Sequence, residues 1–230
     1  MSSKINVGAE EEKVFGAGNK TLFWDCTAGI YDLFVNIINA RTHEILRRKT
    51  ADLFEPEDFV LECGCGTGML TELIAPRCRE LIATDFSKNM LGKTEAKCGA
   101  QNNIRFKVAD IMSLDFADSS FDKVLAANVI HLLENPREAL KELERVCRPG
   151  GRIIIPTYMN RRSGGKENRF IKALGKAGAG FKEKFTFFSY RQFFNDAGYP
   201  DAQFMDIEGF IPCCVAVIEK SYDRRRAWEN

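Results

Sequence analysis

Phe59-Val60-Leu61-Glu62-Cys63-Gly64-Cys65-Gly66-Thr67-Gly68-Met69-Leu70 is the stretch on which the reading of this chain turns. A short apolar run ends in a carboxylate, three glycines follow at alternate positions, and a helical pattern begins at Met69. That is the pattern of a strand, a tight turn and a helix N-terminus. Glycine is needed where backbone turns through positive φ or approaches a ligand closely. The helix start adds unpaired N–H groups and a partial positive charge. The expected product is a cradle for a polar small molecule, in which Gly64, Cys65, Gly66 and Gly68 let the ligand come close to the backbone.

The dinucleotide fingerprint is G-x-G-x-x-G. Here Met69 stands where its third glycine would fall, and the acidic Glu62 precedes the turn. A carboxylate repels a pyrophosphate and attracts an ammonium group, so the turn suits a nucleoside that carries a cationic amino acid. Glu62, Gly64, Gly66 and Gly68 together resemble E-x-G-x-G-x-G, the first motif of the class I S-adenosylmethionine-dependent methyltransferases.

Working outward, Leu81 to Thr84 reads as a short buried strand ending at Asp85. Asp85 follows Gly64 by about 20 residues, the spacing at which an acid meets ribose hydroxyls in α/β nucleotide sites. Ser87 is placed to cap the next helix, which runs to about Cys98. Phe86 and Met90 lie against the adenine or belong to the core. Ile104 to Val108 alternates as a third strand and leads into Asp110 and Ile111. The resemblance implies that Asp110 takes the adenine amino group and Ile111 covers the ring.

Phe121 to Ala127 is a fourth strand, followed on the ligand side by Asn128-Val129-Ile130-His131. Members of this fold that methylate DNA bases or protein amides carry N-P-P-Y or close variants there, and this chain has no Pro-Pro. Asn128 is assigned to the donor site, and His131 is either a general base for an acceptor that must lose a proton or a structural donor. Pro136 opens a helix, Arg148-Pro149-Gly150-Gly151 ends it, and Arg152 to Thr157 is a fifth strand. Ser189 to Gln192 has the spacing of a capping box before a helix that Gly198 ends. Asp201–Glu208 and Ile211–Glu219 alternate as a closing hairpin.

Upstream, apolar residues from Ile30 to Phe54 fall at helical spacing. Tyr31-Asp32 resembles a pair found in small-molecule methyltransferases, where the tyrosine lies near the sulfonium; the alternative is ordinary packing. His43 reads as a surface residue. The glycine- and lysine-bearing segment 160–184 is either a substrate lid or a solvated loop.

The expected architecture is a single α/β domain over 1–230: an arm and cap helices to residue 57, then a Rossmann-like doubly wound core over 58–220. Its seven-stranded sheet is mostly parallel, with a C-terminal antiparallel hairpin. The 33 basic and 32 acidic residues nearly cancel, so no basic field collects nucleic acid. No run is long enough to span a bilayer, and no apolar signal core opens the chain, so a cytoplasmic protein is expected. Eight cysteines without C-x-x-C spacing read as free thiols, and no metal is expected. The resemblance is closest to the ubiquinone/menaquinone-biosynthesis type. It implies S-adenosyl-L-methionine as cofactor, a small-molecule methyl acceptor, and a monomer or homodimer. Two other classes stay open: a non-catalytic S-adenosylmethionine-binding protein, and a nicotinamide-dependent oxidoreductase.

Overall fold

A computed structural model of the chain describes residues 39–160 and 182–222. Seven strands form one sheet in the order β3-β2-β1-β4-β5-β7-β6. They are β1 (Phe59–Cys63), β2 (Glu80–Asp85), β3 (Ile104–Val108), β4 (Phe121–Leu125), β5 (Cys147–Tyr158), β6 (Gln203–Ile207) and β7 (Cys213–Glu219). β1 pairs in parallel with β2 and β4, β2 with β3, and β4 with β5. β7 is inserted antiparallel between β5 and β6. The strand order reverses between β1 and β4. In open α/β sheets the crevice at the carboxyl ends of such a pair is where ligands bind.

Helices cover both faces, as the apolar runs of the central strands require. One layer buries Leu61, Cys63, Val124, Ile153 and Cys214 against α4 (Pro136–Val146) and α5 (Phe187–Asp196). The other buries Val60, Leu81, Leu125, Ile154 and Cys213 against α1 (Ala40–Ala51) and α2 (Thr71–Ile74). α3 (Lys88–Cys98) lies over Cys65 and Ala83 through Leu91. Cys213 and Cys214 therefore point to opposite layers, as adjacent strand residues must. The seven described cysteines are all buried and free.

Several boundaries differ from those read off the sequence. α2 is a single turn from Thr71 and runs into a 3₁₀ turn, Ala75–Arg77. Pro76 sits at the start of that turn, where its missing N–H costs nothing, so it continues the helical path. β5 begins at Cys147, because the Arg148-Pro149-Gly150-Gly151 segment is already extended. The capping box is Thr186 with Ser189, one turn upstream of the expected one: each side chain accepts from the other's backbone N–H. Gly198 does end α5, with φ +87°. α1 is fastened to the β6–β7 loop. The Asn39 amide donates to the Ile211 carbonyl and accepts from the Ile211 N–H, both at 3.0 Å. A side chain at Gly209 would collide with Thr42 of α1.

Tyr31 and most of the 160–184 segment lie outside the described residues. Among the described residues no helix is long and apolar enough to cross a membrane.

Candidate functional site

The glycine turn follows β1 at the switch point and is held from three sides. The Cys65 N–H donates to the Thr84 carbonyl at 2.9 Å. The Gly66 N–H donates to Asp85 Oδ2 at 2.9 Å, and the Thr94 hydroxyl donates to the Gly66 carbonyl at 2.7 Å. The three glycines serve different ends. A Cβ on Gly64 would collide with Val129, and one on Gly68 would crowd Thr94 and Cys98 at 3.1 and 3.3 Å. Gly66 has φ +58° and nothing within 4 Å of its missing Cβ. Its backbone thus borders open space, the place where a ligand could approach closely.

Asp85 ends β2 and is nearly buried. Besides Gly66 it accepts the Ser87 N–H at 2.9 Å. Ser87 caps α3, as expected, by accepting from the Met90 N–H at 3.2 Å. Phe86 is 45 % exposed beside it, whereas Met90 is buried. Of the two candidates for an adenine contact, the structure leaves only Phe86 with an open face. Ile111 is buried in the α4/α5 layer. Asp110 is exposed after β3, and its Oδ1 accepts the Met112 N–H at 2.9 Å.

Glu62 is 2 % exposed. Strand alternation turns it to the α2 side, where Oε2 accepts the Thr71 hydroxyl at 2.7 Å. Burial pushes its carboxyl up to about 8; the Thr71 bond opposes that, and the Asp85 carboxylate adds to it. At neutral pH Glu62 is therefore mostly protonated until a cation joins it. The folded value lies above the ordinary 4.5, so the native state holds the extra proton. Its stabilising effect is full below 4.5 and is lost as pH rises through about 8. Glu62→Gln is expected to flatten the fall of Tm between pH 5 and 8, measured without ligand. An unchanged slope would show that Glu62 does not titrate there.

Past β4 the chain turns sharply at Asn128, a non-glycine residue with φ +55°. Such backbone costs on the order of 1–3 kcal/mol and concentrates at functional sites. Asn128 Oδ1 is buried with no hydrogen-bond partner among the described residues. The next residue, Val129, packs on Gly64, so this segment walls the glycine turn.

His131 is 4 % exposed, and its carbonyl accepts the N–H groups of Lys182 and Glu183 at 3.0 and 3.1 Å. Burial pulls its imidazole down to about 3. So weak a base does not collect a proton near neutral pH, and the environment favours the structural alternative for His131.

His43 is 2 % exposed, contrary to the surface placement expected of it. The face of α1 that carries it packs on strands far away in sequence. Its Nε2 lies 2.8 Å from the Tyr158 hydroxyl at the end of β5, and their rings stack 5.7 Å apart. Tyr158, Thr71 and Thr94 were not singled out in the sequence. A tyrosine at a strand end and threonines in helices carry no local signature.

Residues 61–155 match a family described as methyltransferase domain. The demethylmenaquinone methyltransferase of Corynebacterium efficiens is 32 % identical over 130 residues, 56 % of this chain and 54 % of that protein. The enzyme of the same name from Staphylococcus aureus is 32 % identical over 130 residues, 54 % of each chain. The match thus spans about half the length of these relatives. Among solved structures, N-methyltransferase NodS of Bradyrhizobium japonicum superposes with a TM-score of 0.60 at 18 % identity, covering 81 % of this chain and 98 % of that one. Phosphoethanolamine N-methyltransferase 2 of Haemonchus contortus, in complex with phosphomonomethylethanolamine and S-adenosylhomocysteine, gives 0.65 at 15 % identity, covering 86 % and 58 %. At such identities the likeness is one of fold, and it is the Rossmann-like methyltransferase fold.

Proposed function

We propose that this chain, which resembles class I methyltransferases in fold and carries a methyltransferase domain over residues 61–155, moves a methyl group from S-adenosylmethionine to a small-molecule acceptor. The observation that carries this reading is the open space in front of Gly66, at the switch point, with Asp85 bonded to its N–H. A phosphate-bearing cofactor would meet the Asp85 carboxylate there, with Glu62 buried behind the turn. A donor with an unphosphorylated ribose and an ammonium group meets groups that complement it.

When bound, the donor supplies a methyl group on a sulfonium; an acceptor lone pair takes that methyl, the C–S bond breaks, and its electron pair stays on sulfur. The electrophile is already activated, so no enzyme nucleophile is needed, and the residues act by placement and by excluding water. Asp85 holds the turn in shape and offers its carboxylate to the ribose. Glu62 meets the ammonium group; a cation beside it favours its charged form, so binding should release a proton near pH 7. Phe86 and Asp110 stand at the ends of β2 and β3 for the base. Val129 and Asn128 close the side toward the acceptor. The two bacterial relatives are named for demethylmenaquinone, which makes a naphthoquinol ring the first acceptor to try.

Titration calorimetry tests the donor: S-adenosylmethionine should bind and NADH should not. Formation of S-adenosylhomocysteine, with labelled donor and either a reduced naphthoquinone or a metabolite extract, tests the reaction. Donor binding without any labelled product would reduce the chain to a binding protein.

A further inference from the structure

The acceptor side of the crevice holds a group of polar residues that the donor does not account for. Tyr158 stands half-buried at the carboxyl end of β5, which pairs with β4, one strand away from the reversal point. His43 bonds its hydroxyl at 2.8 Å from α1. His131 packs edge-on to its ring at 6.4 Å. The chain then runs back from His131 through Val129, which covers Gly64, to Asn128. Tyr158 is thus joined to the glycine turn by one short, continuous segment.

Two features call for an explanation beyond packing. His43 is buried on the α1 face that also carries Leu46 and Ala51, and burying an imidazole there costs more than burying a leucine. Its Nε2 bonds the Tyr158 hydroxyl, while its Nδ1 is buried with no partner among the described residues. The amide oxygens of Asn128 and Asn160 are both buried without partners among the described residues, and Asn160 is only 8 % exposed. Such groups cost about 1–3 kcal/mol each unless something bonds them. They follow β4 and β5 on the ligand side of the sheet, where an incoming molecule would supply the missing donors.

Resting on the methyl-transfer reading, we infer that Tyr158 is the residue that orients the methyl acceptor, with His43 as the positioning residue that fixes its hydroxyl and Asn128 as a second anchor. The group carries no formal charge. Burial and the neighbouring Arg47 pull the His43 imidazole down to about 4, and His131 lies lower still. A neutral imidazole that weak steers the phenol and does not ionise it. The acceptor that fits is therefore an uncharged molecule with hydroxyl or amine hydrogens for the Asn128 amide and one polar atom for Tyr158. Its proton, if it loses one on methylation, goes to water.

Four variants test this on the full chain: Tyr158→Phe, His43→Leu, His43→Gln and Asn128→Ala. S-adenosylhomocysteine affinity, by calorimetry, should stay within about threefold of wild type in Tyr158→Phe and both His43 variants, which also reports that they fold. Methyl transfer from labelled S-adenosylmethionine, to a reduced naphthoquinone or a metabolite extract, should show KM for the acceptor raised at least tenfold in Tyr158→Phe and Asn128→Ala. His43→Leu should follow Tyr158→Phe. His43→Gln, whose amide reaches the Nε2 position, should recover most of the loss. Wild-type kinetics in Tyr158→Phe would overturn the assignment, as would equal behaviour of the two His43 variants, which marks packing alone. Lost donor affinity in these variants would move the residues to the donor half and overturn it too. A wild-type chain that binds donor and labels nothing would end the methyl-transfer reading, and this one with it.

Discussion

Gly66→Val is expected to abolish S-adenosylmethionine binding while the fold survives. The reason lies in what surrounds each glycine. A Cβ at Gly66 meets no protein atom within 4 Å beyond its chain neighbours, so a valine there grows into the space left for the ligand. The φ of +58° makes the substitution strained, at about 1–2 kcal/mol for an L-residue, which a domain of this size tolerates. Donor affinity should fall more than 100-fold, about 2.8 kcal/mol, read by calorimetry, with the circular dichroism of the wild type retained. Gly64→Ala is the contrasting control. There the collision is with Val129, so the loss should be seen in thermal stability as well as in binding. Normal donor affinity in Gly66→Val would refute the cradle.

Asp85→Ala comes second in expected size. The carboxylate accepts the N–H groups of Gly66 and Ser87 at 2.9 Å each, and on the methyl-transfer reading proposed above it is also offered to the ribose. Removing it leaves two backbone donors without that partner, at about 1–3 kcal/mol for each that stays dry. The turn loosens and the sugar contact goes with it. Donor affinity should drop 10- to 100-fold or more, about 1.4–2.8 kcal/mol, together with a lower Tm. Asp85→Asn separates the two parts. Its amide oxygen still accepts one N–H, so stability should recover more than affinity does. An Asp85→Ala protein with unchanged affinity would remove this residue from the site.

Both predictions concern the part of the molecule that was plainest in the sequence. β1 and β2 are buried along nearly their whole length and read as apolar runs bounded by turns, whereas the edge strand β3 alternates. The glycine turn, Asp85 and the Ser87 cap depend on contacts within a few residues or across one βα unit, so local rules reach them. The acceptor side was not legible in the same way. His43 looked like one polar residue on a helix face, because its partner Tyr158 comes from β5, more than a hundred residues downstream, and the helix packs on strands of the C-terminal half. His131 carried the right chemical type, but burial removed its basicity, and burial of a single side chain is a tertiary property. Glu62 shows the same limit from the other direction. Its place before the turn was clear, while its protonated state follows from α2 folding over it.

The fastening of α1 to the β6–β7 loop has a consequence for protein engineering. Asn39 grips Ile211 and Gly209 makes room for Thr42, and both contacts seat the helix from which His43 reaches Tyr158. α1 and the loop between the last two strands are therefore one mechanical unit, though 172 positions separate Asn39 from Ile211. A chimera that exchanges α1 between homologues must carry the distal loop along as a matched cassette, or the transplanted helix will seat out of register.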